Sequence, residues 1–144
     1  MVDLYSVIGK RNALVMIAGL PGVDRDPWAA LTGGGVTAPI TRSYNGGSRK
    51  ANIVPGRPVV ADIVVTRPFS PMRDSILLMR LRPLVSRFRV PSITKIYVDA
   101  DGIAVGRKTV WLSCLLSSIN GPDYDEASAD SGHLTTTWTP SDVL

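Results

Sequence analysis

The sequence predicts a mainly β domain: a single antiparallel β-sandwich or barrel with one flanking α-helix and long interface loops. Three observations carry this. Glutamate occurs once, at Glu126, while 13 Gly and 11 Pro crowd the chain, so good helix formers are scarce and turn formers abundant. Short runs rich in β-branched residues alternate apolar and polar along much of the length. Only one stretch, about residues 71–82, carries both start and stop signals of a helix. The 144 residues fit one domain over 1–144, with an N-terminal arm at 1–12 and an extended loop at 43–58. A chain this long buries roughly 68–70% of its unfolded surface, so it needs no disulfide or structural metal to fold.

Taken in order, "ALVMIA" (Ala13–Ala18) is a short apolar strand ended by Gly19-Leu20-Pro21-Gly22. In "VTAPITRSY", Val36, Ala38, Ile40 and Arg42 lie on one side, with Thr37, Thr41 and Ser43 opposite; Pro39 marks an edge strand or a bulge. "VVADIVVT" places Val59, Ala61, Ile63 and Val65 on one face and Val60, Asp62, Val64 and Thr66 on the other.

The helix follows. Ser70 is placed to cap it, Pro71 suits the first helical position, and Asp74 sits near the positive end of the dipole. The run "PMRDSILLMRLR" stops before Pro83. Met72, Ile76 and Met79 form one apolar side, and Leu77, Leu78 and Leu81 a second. A helix apolar on two sides is covered twice, by the core and by either a loop or a partner subunit. The expected solvent side in the free subunit is the leucine side, Leu78 included. Beyond it, two β-rich runs flank Asp99-Ala100-Asp101-Gly102, a hairpin signal because Asp-Gly tolerates positive φ. "HLTTTWT" closes the chain with Leu134, Thr136 and Trp138 on one side.

Sixteen Lys and Arg stand against 12 Asp and Glu, for a net charge of +4. From Arg42 to Arg89 the basic residues face only Asp62 and Asp74; from Asp99 to Asp130 the acids face only Arg107 and Lys108. A basic block followed by an acidic one implies two opposed surfaces. The basic block, with Tyr44, Phe69 and Phe88 nearby, has no ribonucleoprotein or helix-turn-helix signature.

Chemistry is harder to find. Cys114 and His133 are single, which excludes an internal disulfide framework and gives no metal cluster. A Cys114–His133 dyad is the one nucleophile–base pair on offer; the simpler reading is a buried thiol and a surface imidazole. "GIAVGRKT" (Gly102–Thr109) lacks the spacing of a phosphate loop, and "PDYDEASAD" lacks that of a calcium loop. The expectation is no catalysis, no cofactor and no bound metal. The start shows no secretory pattern and no apolar run reaches the ~18–20 residues of a membrane span, so the protein is expected to be made soluble in the cytoplasm.

One resemblance organises these pieces. An early strand ends in "GLPG" and leads through a Trp-containing segment to "GGGVTAPITRSYNGGS". Then come "PGRPVVADIVVTRPF", the helix "RDSILLMRLRPLV" and a β-rich end, "NGPDYDEASADSGHLTTTW". From about Leu14 to Trp138 this resembles the major tail tube proteins of tailed phages, particularly the short subunits of phages of actinobacteria. The matching positions are Gly33-Gly34-Gly35, Tyr44 with Gly46-Gly47, Pro55-Gly56, Thr66-Arg67 and Asp74. The resemblance implies a small β-sandwich or barrel whose six copies form rings. Stacked rings would make a virion tail tube that conducts DNA, with a tape measure inside, a sheath outside where one is present, and baseplate and terminator at the ends. It makes the loop with Tyr44, Gly46, Gly47, Arg49, Lys50 and Arg57 an interface device. Leu77, Leu78 and Leu81 on the helix and the acidic group Asp123, Asp125, Glu126 and Asp130 are the other candidate contacts. Tube channels in that family tend to be acidic, so the arginines of this basic chain are expected at contacts or outside. A baseplate hub, tube initiator or tail-end protein of the same fold is one alternative; a basic β-barrel that binds nucleic acid is another.

Overall fold

The computed structural model of the chain describes residues 13–20, 28–123, 127 and 132–144. Six strands form one antiparallel sheet in the order β1 (Ala13–Ile17), β8 (Arg89–Tyr97), β9 (Thr109–Asn120), β10 (His133–Thr139), β7 (Ile63–Pro68) and β2 (Ala30–Gly33), and β11 (Asp142–Val143) adds to β9. The sheet curls until its edges meet at one bridge, where Trp28 N–H donates to the Val15 carbonyl at 2.9 Å. The inward faces follow the alternation read from the sequence: Ile63 and Val65 on β7, Leu134, Thr136 and Trp138 on β10. On β9 the inward set is Trp111, Cys114, Leu116 and Ile119. Its phase switches at Ser113, which adopts φ 49, and at a one-residue register shift opposite Thr137/Trp138. Such irregularities bend and twist a strand, and here they help wrap the sheet around its core.

Helix α1 (Pro71–Leu81) has the start and length expected. Ser70 precedes it in an extended conformation, but its side chain makes no capping bond. Asp74 reaches back instead and accepts from Ser70 N–H at 2.8 Å, satisfying one of the helix's open donors. A 3-10 turn (Arg82–Leu84) then leads to β8.

Between β2 and β7 the chain leaves the sheet. It runs out through β3 (Val36–Thr37) and β4 (Ile40–Tyr44) and returns through β5 (Ala51–Pro55) and β6 (Val59–Val60), pairing as β3–β6 and β4–β5. The segment 43–58, expected as a loop, is therefore mostly the far half of a two-stranded arm, with a turn only over 45–50. "VVADIVVT" is likewise not one strand: it breaks at Ala61-Asp62, so Val59 and Ala61 are exposed while Ile63 and Val65 are buried. The Asp99–Gly102 turn is present, with Gly102 at φ +80, but the regular strands stop at Tyr97 and resume at Thr109.

Register fixes which features share an end of the sheet. Gly33 and Trp138 both pair with Ile63, so the arm leaves where β7 begins. His133 pairs with Pro68 and Asn120 with Thr135, so the end of β9, the start of β10 and α1 lie where β7 ends. Those ends are roughly 20 Å apart at ~3.3 Å per residue.

Candidate assembly surfaces

The arm root is built from glycine. Gly33 (φ +85) and Gly34 (φ +78) turn the chain out of β2. A Cβ on Gly33 would fall 2.1 Å from the Asp62 carbonyl oxygen, and one on Gly34 would fall 2.7 Å from the Trp111 indole. Further out, a Cβ on Gly56 would meet the Pro39 carbonyl oxygen at 2.1 Å. These glycines permit close approach of backbone within the subunit itself. Gly46 and Gly47 at the tip have open space around them.

Pairing sorts the arm's side chains. Ile40↔Pro55, Arg42↔Ile53 and Tyr44↔Ala51 share one face; Thr41↔Val54 and Ser43↔Asn52 share the other. Ile40 is 62% exposed and Ile53 64%, so the first face is apolar and open. Arg42, Arg49, Lys50 and Arg57 are all exposed, and no acid lies between Val36 and Ala61. A two-stranded ribbon is marginal in water by itself, and among the described residues nothing covers this one beyond its root.

The helix has two sides, as expected, but the assignment reverses. Leu77 and Leu81 are buried in the core and Leu78 is half-buried beside Gly121. The open side is Met72 (88% exposed), Ile76 and Met79 (67%). The helix lies on the end of the barrel with its leucines inward, because only that stripe meets the apolar ends of the strands.

Under the helix start lies a buried ion pair. Arg67 ends the inward face of β7, and its Nη2 donates to Asp74 Oδ1 at 2.5 Å. Arg73 donates from Nε to Oδ1 at 3.0 Å and from Nη2 to Oδ2 at 3.1 Å. The Arg67 guanidinium also lies 4.2 Å from the centre of the Trp28 ring. Burial pushes the Asp74 carboxyl up, but Arg73, the Ser70 N–H and Arg67 outweigh it and hold the group below its ordinary value. Nothing local in the sequence indicates that Arg67 and Asp74 meet.

Cys114 is buried, and its thiol is pushed up to about 11 by that burial against a hydrogen bond from the Ile93 backbone. His133 is exposed at the start of β10, whereas Cys114 lies one residue beyond Leu115, the partner of Thr139 at that strand's far end. Six residues of strand separate the two positions, roughly 20 Å, so they form no dyad. Asp123 is exposed; Asp125, Glu126 and Asp130 lie outside the described residues, as does the arm expected at 1–12. Among the described residues no group of His, Cys, Asp and Glu has metal-binding spacing, and no helix is long and apolar enough to cross a membrane.

No protein-family model matches the sequence, and no curated protein does. Solved structures do. The tube-terminating cap of the anti-feeding prophage (AFP) superposes with a TM-score of 0.79 at 13% identity, covering 100% of this chain and 93% of that one. The chain has the fold of tube proteins. The sheath–tube complex of the extracellular contractile injection system PVC gives a TM-score of 0.78 at 14% identity, over 98% of this chain and 92% of that one. An Hcp protein matches at 0.58 and 13%, over 91% and 90%.

Proposed function

We propose that the chain is a structural tube subunit whose copies close into six-membered rings and stack head to tail into a conduit. The observation that carries this is the arm. It exposes an apolar face and a basic flank at one end of the barrel, and α1, the end of β9 and the start of β10 occupy the other. A single molecule has no means of bringing the arm to its own far end, but successive copies do, through a heterologous contact in which two different patches meet. From Val36 to Tyr44 the arm strand measures about 30 Å along its contour, enough to lie across much of a neighbouring barrel. The sequence resemblance extends the reading to a phage tail that conducts DNA, and the likeness to parts of sheath-bearing and capped assemblies suggests partners of those kinds. The role requires no catalysis.

Negative-stain electron microscopy of the purified chain tests it. Rings or filaments are expected, and a variant whose arm is cut back to a short linker at Gly35 and Ala61 should remain a folded monomer. A monodisperse monomer at every concentration, retarding DNA with a steep salt dependence, would replace this reading with a nucleic-acid-binding one.

A further inference from the structure

The arm's root meets the core at two points: Val60 packs against the core cluster, and Trp111 hydrogen-bonds the backbone of Gly34. Trp111 is buried near the start of β9, the first residue of its inward face, and its indole Nε1–H donates to the Gly34 carbonyl at 3.0 Å while its ring lies where a Gly34 Cβ would stand. The neighbouring root bonds, Gly34 N–H to the Asp62 carbonyl and Ala61 N–H to the Gly35 carbonyl, join the two legs of the root to each other and not to the core. Gly33 and Gly34 both have left-handed φ, and Gly35 has open space around it. A groove of about 470 Å³ separates the lower arm, Val36 and Arg57–Val60, from Thr139–Val143. The root is thus a glycine hinge with space beside it, fastened to the core at Trp111.

We propose that Trp111 is a positioning residue: its bond to Gly34 latches the hinge and sets the arm at its docking angle before a second copy arrives. This rests on the arm being the assembly element. The apparent affinity of a site that is ready only part of the time falls by that fraction. A hydrogen bond of ordinary net strength corresponds to roughly a two- to tenfold change in the ready population. A latch therefore acts on the concentration at which tubes appear and leaves the docked contacts alone.

The test labels the arm tip through Gly46→Cys and the opposite end of the barrel through Asn120→Cys, both exposed. Cys114 is buried and resists the label. Distance distributions from paired spin labels are measured below the assembly concentration. Trp111→Phe, which keeps a ring and removes the N–H, should broaden the tip distance and raise the threshold concentration for tubes two- to tenfold. Where Trp111→Phe fails to fold, a benzothienyl-alanine at 111 replaces N–H by sulfur in a ring of the same shape. An unchanged distance distribution in the folded variant overturns the latch, as does an unchanged threshold when the arm-deleted chain makes no tubes. If the arm-deleted chain still makes tubes, the functional reading fails instead, and the distance measurement alone decides the latch.

Discussion

Replacing Asp74 by Asn removes the carboxylate charge that Arg67 and Arg73 share. The amide still accepts from Ser70 N–H, so the helix start is kept, but the charge opposite Arg67 is gone. Arg67 and Asp74 are 1% and 0% exposed, and breaking such a pair from one side costs ~3–5 kcal/mol because the surviving charge stays buried. The Trp28 ring returns part of this, on the order of 1 kcal/mol. A domain of this kind has ~5–15 kcal/mol in total, and ~1 kcal/mol moves its midpoint by about 2–8 °C, so a net loss of ~2–4 kcal/mol should lower it by at least ~4 °C. Urea unfolding of the dilute subunit, followed by fluorescence of the buried Trp28, Trp111 and Trp138, reads it. The double variant Arg67→Met/Asp74→Asn should lose less than Asp74→Asn alone, since it also removes the buried cation and keeps the acceptor for Ser70 N–H. The sign with pH is fixed too. The folded carboxyl is held below its ordinary value of 3.8, so its contribution is complete well above that value and lost as pH falls through the lower folded one. Stability from this group should be level from pH 7 to about 5 and decline below about 4, and Asp74→Asn should lack that decline. A loss under ~1 kcal/mol, or a double variant worse than the single, would refute the reasoning.

Other outcomes separate folding from assembly. Met79→Asp should leave the unfolding midpoint within ~0.5 kcal/mol of wild type, whereas Leu77→Asp should cost several, near ~3 kcal/mol or more; if Met79→Asp also abolishes rings in micrographs, the open helix side is an interface. Gly56→Ala drives a Cβ onto the Pro39 carbonyl and should disorder the arm and prevent tube formation while urea unfolding of the barrel moves by less than ~1 kcal/mol. Cys114, buried with its thiol raised to about 11, should react with a disulfide reagent at pH 8 only at the rate of unfolding; prompt labelling would contradict its burial.

Much of the barrel was legible because its code is local. Alternation in "HLTTTWT" and "IVVT" needs only period-2 pattern to name the buried set, and Pro71 with Pro83 bracket the helix. What escaped depends on partners remote in sequence. The helix shows two apolar stripes, and which one meets the core depends on where the barrel end lies, so Leu77 and Leu81 were placed outward. Ala51–Pro55 carries alternation too short to register as a strand until Ile40–Tyr44 pairs with it. Arg67 reads as one more cation in a basic block, because nothing local says that a carboxylate seven residues on will fold back over it. The glycine run stands out in the sequence, but its reason at Gly34 lies in Trp111, 77 residues away.

The arm and the barrel divide the labour of the chain. Among the described residues every fully buried side chain belongs to the sheet or the helix, and of the arm only Val60 packs against the core, so beyond its root the arm's sequence is little constrained by the barrel's core. Its two kinds of residue then do different things. Arg42, Arg49, Lys50 and Arg57 are exposed, and exposed ion pairs yield only ~0–1 kcal/mol each. On the proposed reading they would set orientation, steering the arm toward acidic groups, for which the sequence offers Asp123, Asp125, Glu126 and Asp130, and rejecting a basic surface. Adhesion falls to Ile40, Tyr44 and Ile53, where burial yields ~1.5–3 kcal/mol for a large apolar side chain. Reversing the sign of Arg49 and Lys50 should therefore slow tube growth and be partly rescued by reversing the acidic group. Ile53→Asp should abolish growth with no charge change able to restore it. A rescue of Ile53→Asp by added salt would mean that charge, and not apolar burial, holds successive copies together.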